Sequence, residues 1–203
     1  INAVLDDKLV DRKAIREAGF KVVLDAVNSI GGPTMPLLMK ELGVECIELN
    51  CEPTGNFAHN PEPLPHNLTA LSETVVKEKA DLGISVDPDV DRLALICENG
   101  EPFGEEYTLV SVADYVLSNN KGGSTVSNLS SSRALRDITQ KWGGTYSAAA
   151  VGEVNVTTKM REVSAVIGGE GNGGVIYPNL HYGRDAYMGI ALFLSNLAHK
   201  KVK

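Results

Sequence analysis

Three aspartates in one short segment are the residues with the clearest chemical potential. Asp87, Asp89 and Asp91 alternate along the chain, and Arg92 follows directly. Clustered carboxylates repel one another unless a cation neutralises them, and oxygen ligands suit Mg²⁺, Mn²⁺ or Ca²⁺ rather than zinc. The guanidinium of Arg92 can donate a pair of hydrogen bonds to a phosphate. A metal ion beside an arginine therefore predicts phosphoryl chemistry.

Apolar runs on both sides predict that this acidic segment is a loop between two strands, residues 82–86 and 93–97. Two other interpretations are open. Asp and Pro also form ordinary solvated turns. An EF-hand calcium loop would place Glu98 at its twelfth position, but its sixth position requires glycine and holds Arg92. Strands rather than helices on both sides also disfavour an EF-hand.

A second loop, residues 168–174, combines five glycines with Glu170 and Asn172. Glycines let a backbone approach a ligand closely, and a carboxylate with an amide can bind sugar hydroxyls. The spacing also satisfies the dinucleotide fingerprint G-x-G-x-x-G, but that motif must open a helix. The residues after Gly174 read as a strand instead. A purely structural glycine turn is the other alternative.

Other polar residues are weaker candidates. We assign His59 and His66 to solvated loop positions. We assign the serine cluster to a helix cap (Ser130, Ser131 and Ser132). We assign His181 and Arg184 to surface roles, with phosphate contact as the alternative.

Strand and helix patterns alternate along most of the chain, which is typical of α/β folds with mainly parallel sheets. We predict two successive three-layer α/β/α domains with mainly parallel, mixed sheets. They are a metal-binding domain, residues 19–100, and a sugar-binding domain, residues 101–203. Residues 1–18 are predicted to form one helix that connects from an upstream domain.

Three local predictions concern the elements near the candidate sites. A short strand at 165–167 is predicted to lead into the glycine-rich loop. A helix with a serine cap is predicted at 131–142, and Asp185 is predicted to cap a final helix at 186–199.

Composition excludes several classes of function. A net charge of −7 disfavours nucleic-acid binding, because a phosphate backbone requires a basic surface. Apolar runs of membrane-spanning length and a signal-peptide pattern are absent from the sequence. The three cysteines form no C-x-x-C pair, which is typical of a reducing compartment. We therefore expect a cytoplasmic protein without membrane or nucleic-acid partners.

The two loops together resemble those of the α-D-phosphohexomutase family, the phosphoglucomutases and phosphomannomutases. The family's metal loop is close to D-G-D-x-D-R, as in residues 87–92, and its sugar loop is of the type G-E-x-S/N-G, as in residues 169–173. The segments 23–28 (with the glycines at 31 and 32) and 152–155 are also similar to parts of the family's second and third domains. The resemblance covers almost the whole chain.

The resemblance implies an isomerase that moves a phosphoryl group between the 1- and 6-positions of a hexose through a phosphoserine and a bisphosphate. It implies Mg²⁺ as the cofactor, bound by Asp87, Asp89 and Asp91, and a catalytic role for Arg92 with a phosphorylated hexose as substrate. It implies sugar binding by the second loop (Glu170, Gly171, Asn172 and Gly173).

The sequence departs from the family pattern in several places. The T-A-S-H-N-P-like and R-x-S-G-T-like motifs of the family's first and fourth domains are not in it. We therefore expect the chain to be family domains two and three, inactive alone and partnered by the missing domains. Pro88 and Val90 replace small residues of the metal loop. The histidine that often follows the position of Asn172 in relatives is missing, and Ala150 stands where many relatives have lysine.

Other functions are compatible with the same residues. One alternative is a phosphoglucosamine mutase of the same family. A second is a non-catalytic module that binds a sugar phosphate or a metal. A third is a nucleotide-dependent oxidoreductase, which requires a helix directly after Gly174.

Overall fold

The computed structural model describes residues 1–202, which form two α/β units of similar construction. Two short helices come first, α1 (Asn2–Leu5) and α2 (Arg12–Ala18). The first unit contains β1 (Lys21–Asp25), α3 (Gly31–Leu42), β2 (Glu45–Leu49), α4 (Thr69–Glu78), β3 (Leu82–Val86) and β4 (Leu93–Cys97). The second contains α5 (Glu105–Asn119), β5 (Thr125–Asn128), α6 (Ala134–Lys141), β6 (Tyr146–Ala149), α7 (Glu153–Glu162), β7 (Ile167–Glu170), β8 (Gly174–Ile176) and α8 (Ala186–Lys200).

The two sheets have the same topology. Their strand orders are β2-β1-β3-β4 and β6-β5-β7-β8, and in each the last strand is antiparallel while the other pairs are parallel. The predicted fold class, two α/β/α units with mainly parallel mixed sheets, is confirmed. Because the fourth strand is antiparallel, it follows the third through a short hairpin loop rather than a helical crossover.

These two hairpins carry the candidate residues. The β3–β4 loop is residues 87–92, and the β7–β8 loop is residues 171–173. In the registers, Val86 pairs with Leu93 and Glu170 pairs with Gly174 at the ends of the ladders. Both loops therefore lie at corresponding positions of their sheets, at the carboxyl end of a buried strand.

The prediction of one helix over residues 1–18 is wrong, because two helices separated by a turn lie there. The Asp7 side chain accepts a hydrogen bond from Leu9 N at 2.9 Å, and Asp11 caps α2 by accepting from Ala14 N at 2.9 Å. Aspartate side chains that bond nearby backbone N–H groups interrupt one helix and begin the next. Both helices pack against α8 of the second unit.

Two other local predictions need correction. The strand predicted at 165–167 is β7 and continues to Glu170, so the first three residues of the predicted glycine-rich loop are strand. Helix α6 begins at Ala134, three residues after the predicted start. Ser132 Oγ accepts from Ala134 N at 3.0 Å, so a serine does bond to the first turn as predicted, whereas Ser130 and Ser131 bond to Asn128. The predicted cap of α8 is confirmed, because Asp185 accepts from Met188 N at 2.8 Å.

One hydrophobic core continues from the first unit into the second. Leu93 and Leu95 of β4 belong to the same buried cluster as residues of α5 and α8, and α5 packs along α8. Burial of this apolar surface holds the two hairpin loops beside each other. Within residues 1–202, the helices are too short or too polar to cross a bilayer.

Candidate active site

The metal loop, residues 87–92, is organised by its first aspartate. Asp87 follows β3 directly and is 6% exposed. Its Oδ1 accepts hydrogen bonds from Asp91 N and Arg92 N, both at 3.0 Å, which closes the loop on itself. Ser29, which lies between β1 and α3, donates to the carbonyl of Pro88 at 2.8 Å and ties the loop to that segment. The loop geometry is therefore fixed by hydrogen bonds from two directions.

Val90 adopts a left-handed conformation with φ of 61° and is buried. This conformation is unusual for a β-branched residue and carries a conformational cost. The surrounding contacts maintain it, since the side chain lies in the hydrophobic core and the Val90 carbonyl accepts from Ala186 N at 3.1 Å. The metal loop is thus bonded directly to the first turn of α8.

The structure brings Asp87, Asp89 and Asp91 together, with one carboxylate oxygen of each within 4.8 Å of the others. Burial and the neighbouring Asp91 and Asp89 charges raise the pKa of Asp87 to about 7. Asp91 Oδ1 is buried and has no hydrogen-bond partner among the described residues. An orphan acceptor in an oxygen-only cluster fits a hard divalent cation such as Mg²⁺.

Arg92 lies against the same aspartates. Its Nε is 3.5 Å from Asp87 Oδ2 and 3.9 Å from Asp91 Oδ1, and its Nη1 is 3.8 Å from Glu62 Oε1. The Nε is also buried without a hydrogen-bond partner in the described chain. The metal loop therefore holds an acceptor that fits a cation next to a donor that fits an anion.

The sugar loop is anchored by Glu170, the last residue of β7, which is 5% exposed. Oε1 accepts from Asn128 Nδ2 at 2.8 Å and from Gly152 N at 3.3 Å, and Oε2 accepts from Arg184 Nη1 at 2.9 Å. A carboxylate has about four lone-pair positions, so three protein donors leave about one open. Glu170 is held rigidly and can accept one further hydrogen bond without displacing a protein donor.

Asn128 was not a candidate from the sequence, because it reads as the end of an ordinary strand. It is 3% exposed, and its Oδ1 accepts from Ser131 Oγ at 2.6 Å and from Ser130 Oγ at 3.1 Å. These two bonds orient the amide so that its Nδ2 faces Glu170. The serine cluster therefore supports the sugar loop.

The other residues of the sugar loop contact neighbouring segments, and Gly173 contacts Leu93, the residue of β4 that directly follows the metal loop. Gly173 has φ of 87°, and a Cβ there would lie 2.4 Å from Leu93 O, so only glycine fits. Its carbonyl accepts from Leu93 N at 3.1 Å. Asn172 uses its Oδ1 to accept from Gly174 N at 3.3 Å, and Gly171 packs beside Ser131.

The surface role predicted for Arg184 is wrong. Its side chain is 14% exposed, and its guanidinium binds Asp91 of the metal loop and Glu170 of the sugar loop at once. A third carboxylate, Glu153, lies 3.4 Å from its Nε. These carboxylates raise the pKa of Arg184 although burial opposes the shift. The sequence could not indicate this, because the three acids are far apart along the chain.

The histidine predictions had mixed outcomes. His59 Nε2 is 3.1 Å from Asp25 Oδ2, and Asp25 is a buried carboxylate at the end of β1, so His59 is more than a solvated loop residue. His66 lies in a short 3₁₀ turn at Pro65–Asn67 and is exposed. His181 is exposed and bonds to Asp185 at 2.8 Å.

The oxidoreductase interpretation is not compatible with the structure around the second loop. Gly174 begins strand β8, not a helix, so the dinucleotide motif lacks the helix N-terminus that binds a pyrophosphate. The strands on both sides of the metal loop exclude an EF-hand in the same way.

Two adjacent family models match the chain. Residues 1–100 match phosphoglucomutase/phosphomannomutase, alpha/beta/alpha domain II, and residues 104–203 match domain III of the same proteins. Their order and extent agree with two successive α/β/α units, one carrying each hairpin loop. The chain belongs to the phosphoglucomutase/phosphomannomutase family, the α-D-phosphohexomutases.

Individual relatives agree with this assignment. A "Phosphoglucomutase/phosphomannomutase" of Thermococcus kodakarensis is 40% identical over 180 residues, which are 88% of this chain and 40% of that protein. A "Probable phosphoglucosamine mutase" of Methanosarcina barkeri is 35% identical over 202 residues, 99% of this chain and 46% of that protein. A crystal structure of a family protein from Burkholderia thailandensis aligns with a TM-score of 0.83 at 31% identity, over 96% of this chain and 44% of that one. The chain therefore spans less than half the length of these relatives.

Proposed function

We propose that this chain supplies the metal-binding and sugar-binding units of a hexose-phosphate mutase. Such an enzyme moves a phosphoryl group between the 1- and 6-positions of a hexose, through a phosphoserine and a bisphosphate intermediate. The observation that carries the proposal is the pair of unsatisfied groups in the metal loop. Asp91 Oδ1 lacks a hydrogen-bond partner and can bind a cation, and Arg92 Nε lacks one and can donate to an anion. A metal-bound phosphate satisfies both groups.

Asp87, Asp89 and Asp91 would hold Mg²⁺, and the bound ion would withdraw charge from a phosphoryl group during transfer. Arg92 would donate to a phosphoryl oxygen from the position where its Nε lacks a partner. Glu170 would accept from one sugar hydroxyl, with Gly171, Asn172 and Gly173 shaping the loop around the ring. A rigid loop and a rigid carboxylate would orient the substrate and so lower the entropic part of the barrier.

Mn²⁺ binding to this chain tests the metal site. We expect Asp89→Asn to weaken Mn²⁺ binding at least about tenfold, equivalent to ~1.4 kcal/mol, because one of three charged ligands is lost. Asp137→Asn on the exposed face of α6 is the matched control and should leave the affinity unchanged. Equal affinities for the parent chain and Asp89→Asn would contradict the assignment of the loop as a metal site.

Turnover tests the reaction. We expect the chain alone to be inactive in a coupled glucose 1-phosphate assay, because relatives are more than twice as long and the phosphoserine motif is not in this sequence. In the full-length protein we expect isomerisation that is lost in Asp89→Asn. Reproducible turnover by the chain alone would mean that the nucleophile lies within it.

Phosphoglucosamine mutase activity is a second candidate within the same mechanism. It is favoured by several relatives that carry the name "Probable phosphoglucosamine mutase", including one that aligns with 99% of this chain. Comparing kcat/KM of the full-length protein for glucosamine 6-phosphate and glucose 6-phosphate decides between the two. A non-catalytic module would bind these sugar phosphates without interconverting their positional isomers.

A further inference from the structure

The guanidinium of Arg184 is the only group among residues 1–202 that binds both hairpin loops through side chains. It donates to Asp91 Oδ2 through Nη2 and to Glu170 Oε2 through Nη1. Asp91 Oδ1 is left without a hydrogen-bond partner and is one of the oxygens available to the acidic cluster. Asp91 therefore has one oxygen engaged by Arg184 and another available to a cation.

Several backbone and side-chain contacts fix the position of Arg184. Arg184 pairs with Ile176 of β8 in an isolated bridge, and its backbone N donates to Glu153 Oε1 at 3.2 Å. Its side-chain stem passes over Gly174, where an added Cβ would lie 2.4 Å from Arg184 Cδ. The next residue, Asp185, caps α8. Glycine at 174 thus provides the space through which the guanidinium reaches both loops.

Resting on the proposed function, we infer that Arg184 is a positioning residue that couples Glu170 to Asp91. The physical basis is the sharing of one positive charge between buried carboxylates. When Glu170 is neutralised or engages a sugar hydroxyl, less of the guanidinium charge is compensated at that end. Arg184 then interacts more strongly with Asp91 and competes with a cation for that carboxylate. Sugar engagement and metal affinity are linked through this arginine, and the linkage is reciprocal.

A double-mutant cycle read by Mn²⁺ binding tests this inference without catalysis. The Mn²⁺ Kd is measured by the electron paramagnetic resonance signal of free Mn²⁺ for the parent chain, Glu170→Gln, Arg184→Gln and the double variant. We expect Glu170→Gln to raise the Kd about threefold or more when Arg184 is present. In the Arg184→Gln background we expect a change below about 1.5-fold, because neutral glutamine does not transmit the charge.

Two further variants keep the test decisive. Glu62→Gln neutralises an acid that faces Arg92 rather than Arg184, so its effect on Kd should be equal in both backgrounds. If Arg184→Gln does not fold, as judged by circular dichroism, Arg184→Met replaces it. Methionine is also neutral and its flexible side chain fills irregular space, so the Glu170→Gln effect should again shrink below about 1.5-fold.

The outcomes separate this inference from the proposed function. Equal factors for Glu170→Gln with and without Arg184 would mean that Glu170 acts on the metal through space alone, and the coupling would be overturned while the metal site stands. An unaltered chain that binds no Mn²⁺ would overturn the metal site and the coupling together.

Discussion

Asn128 supports the sugar loop, and replacing it by aspartate should destabilise the folded chain in a pH-dependent way. The change keeps the shape of the side chain and replaces the donor that contacts Glu170 Oε1 at 2.8 Å by an oxygen. Two unit charges at that separation repel by about 6 kcal/mol at an effective dielectric constant of ~20. Keeping one proton on a carboxyl group of ordinary pKa near 4 costs only about 4 kcal/mol at pH 7. Protonation is the cheaper outcome, so the pair should share a proton.

The sign of the pH dependence follows from this comparison. A carboxyl pair that holds a proton in the folded state has a folded pKa raised above its unfolded value. Its folded state is therefore favoured at low pH, and stability is lost as the pH rises toward the folded pKa. We expect Asn128→Asp to cost up to about 4 kcal/mol at pH 7, and about 1.4 kcal/mol less for each unit of pH below that. The bond from Arg184 to Glu170 reduces the repulsion and makes these values upper bounds.

Urea unfolding at pH 5, 6 and 7 measures the effect. Asn60→Asp is the matched control, because Asn60 is exposed and uses its Oδ1 to accept from Glu62 N at 3.1 Å, which aspartate can also do. The control should shift the unfolding free energy by less than about 0.5 kcal/mol at each pH. A destabilisation by Asn128→Asp that is the same at pH 5 and pH 7 would refute the contact between Asn128 and the Glu170 carboxylate.

Three further predictions concern the metal loop and its contact with the sugar loop. We expect the unfolding free energies of Val90→Gly and Val90→Ala in urea to agree within about 0.5 kcal/mol, because glycine relieves a left-handed backbone that costs about 1–2 kcal/mol. At the strand residue Val86, the glycine variant should be less stable than the alanine variant by at least about 1 kcal/mol. A similar difference between the glycine and alanine variants at both positions would argue against backbone strain at 90. Because burial raises the pKa of Asp87 to about 7, we expect the Mn²⁺ affinity to rise between about pH 6 and pH 8, with release of a proton on binding. In isothermal titration calorimetry, Asp87→Asn should bind Mn²⁺ weakly and without this pH dependence. A parent affinity that does not change with pH would contradict the raised pKa. Gly173→Ala should lower the unfolding free energy in urea by more than about 3 kcal/mol, because the alanine Cβ would lie 2.4 Å from the Leu93 carbonyl oxygen. A loss of unfolding free energy below about 1 kcal/mol would mean that the two hairpins separate easily.

The metal loop could be predicted from sequence because its residues are adjacent in the chain. Three carboxylates at alternate positions between two apolar runs indicate a hairpin with clustered acidic side chains, without knowledge of any distant residue. The α/β order of the elements is local in the same sense, and the fold class followed from it. Glu170 is a candidate from the sequence because the glycines on both sides of it are also local.

The supporting residues could not be predicted because their partners are distant along the chain. Asn128 is 42 positions from Glu170, and Arg184 is 93 positions from Asp91. An asparagine at the end of a strand and an arginine in a loop have ordinary surface interpretations until the sheet topology is known. The prediction of a single helix over residues 1–18 failed for a more local reason. The aspartates at 7 and 11 bond to backbone N–H groups that a continuous helix would use otherwise.

The repeated topology explains why two loops with different chemistry meet. In each sheet the first strand of the unit lies between the second and third strands. In the first unit the last residue of this strand is Asp25, which is bonded to Asn50 and His59, and in the second it is Asn128, which orients Glu170. In both units the last residue of this strand therefore bonds to a residue at the carboxyl end of a neighbouring strand. Arg184 then joins two hairpins that the topology alone would leave merely adjacent, because its guanidinium binds both Asp91 and Glu170.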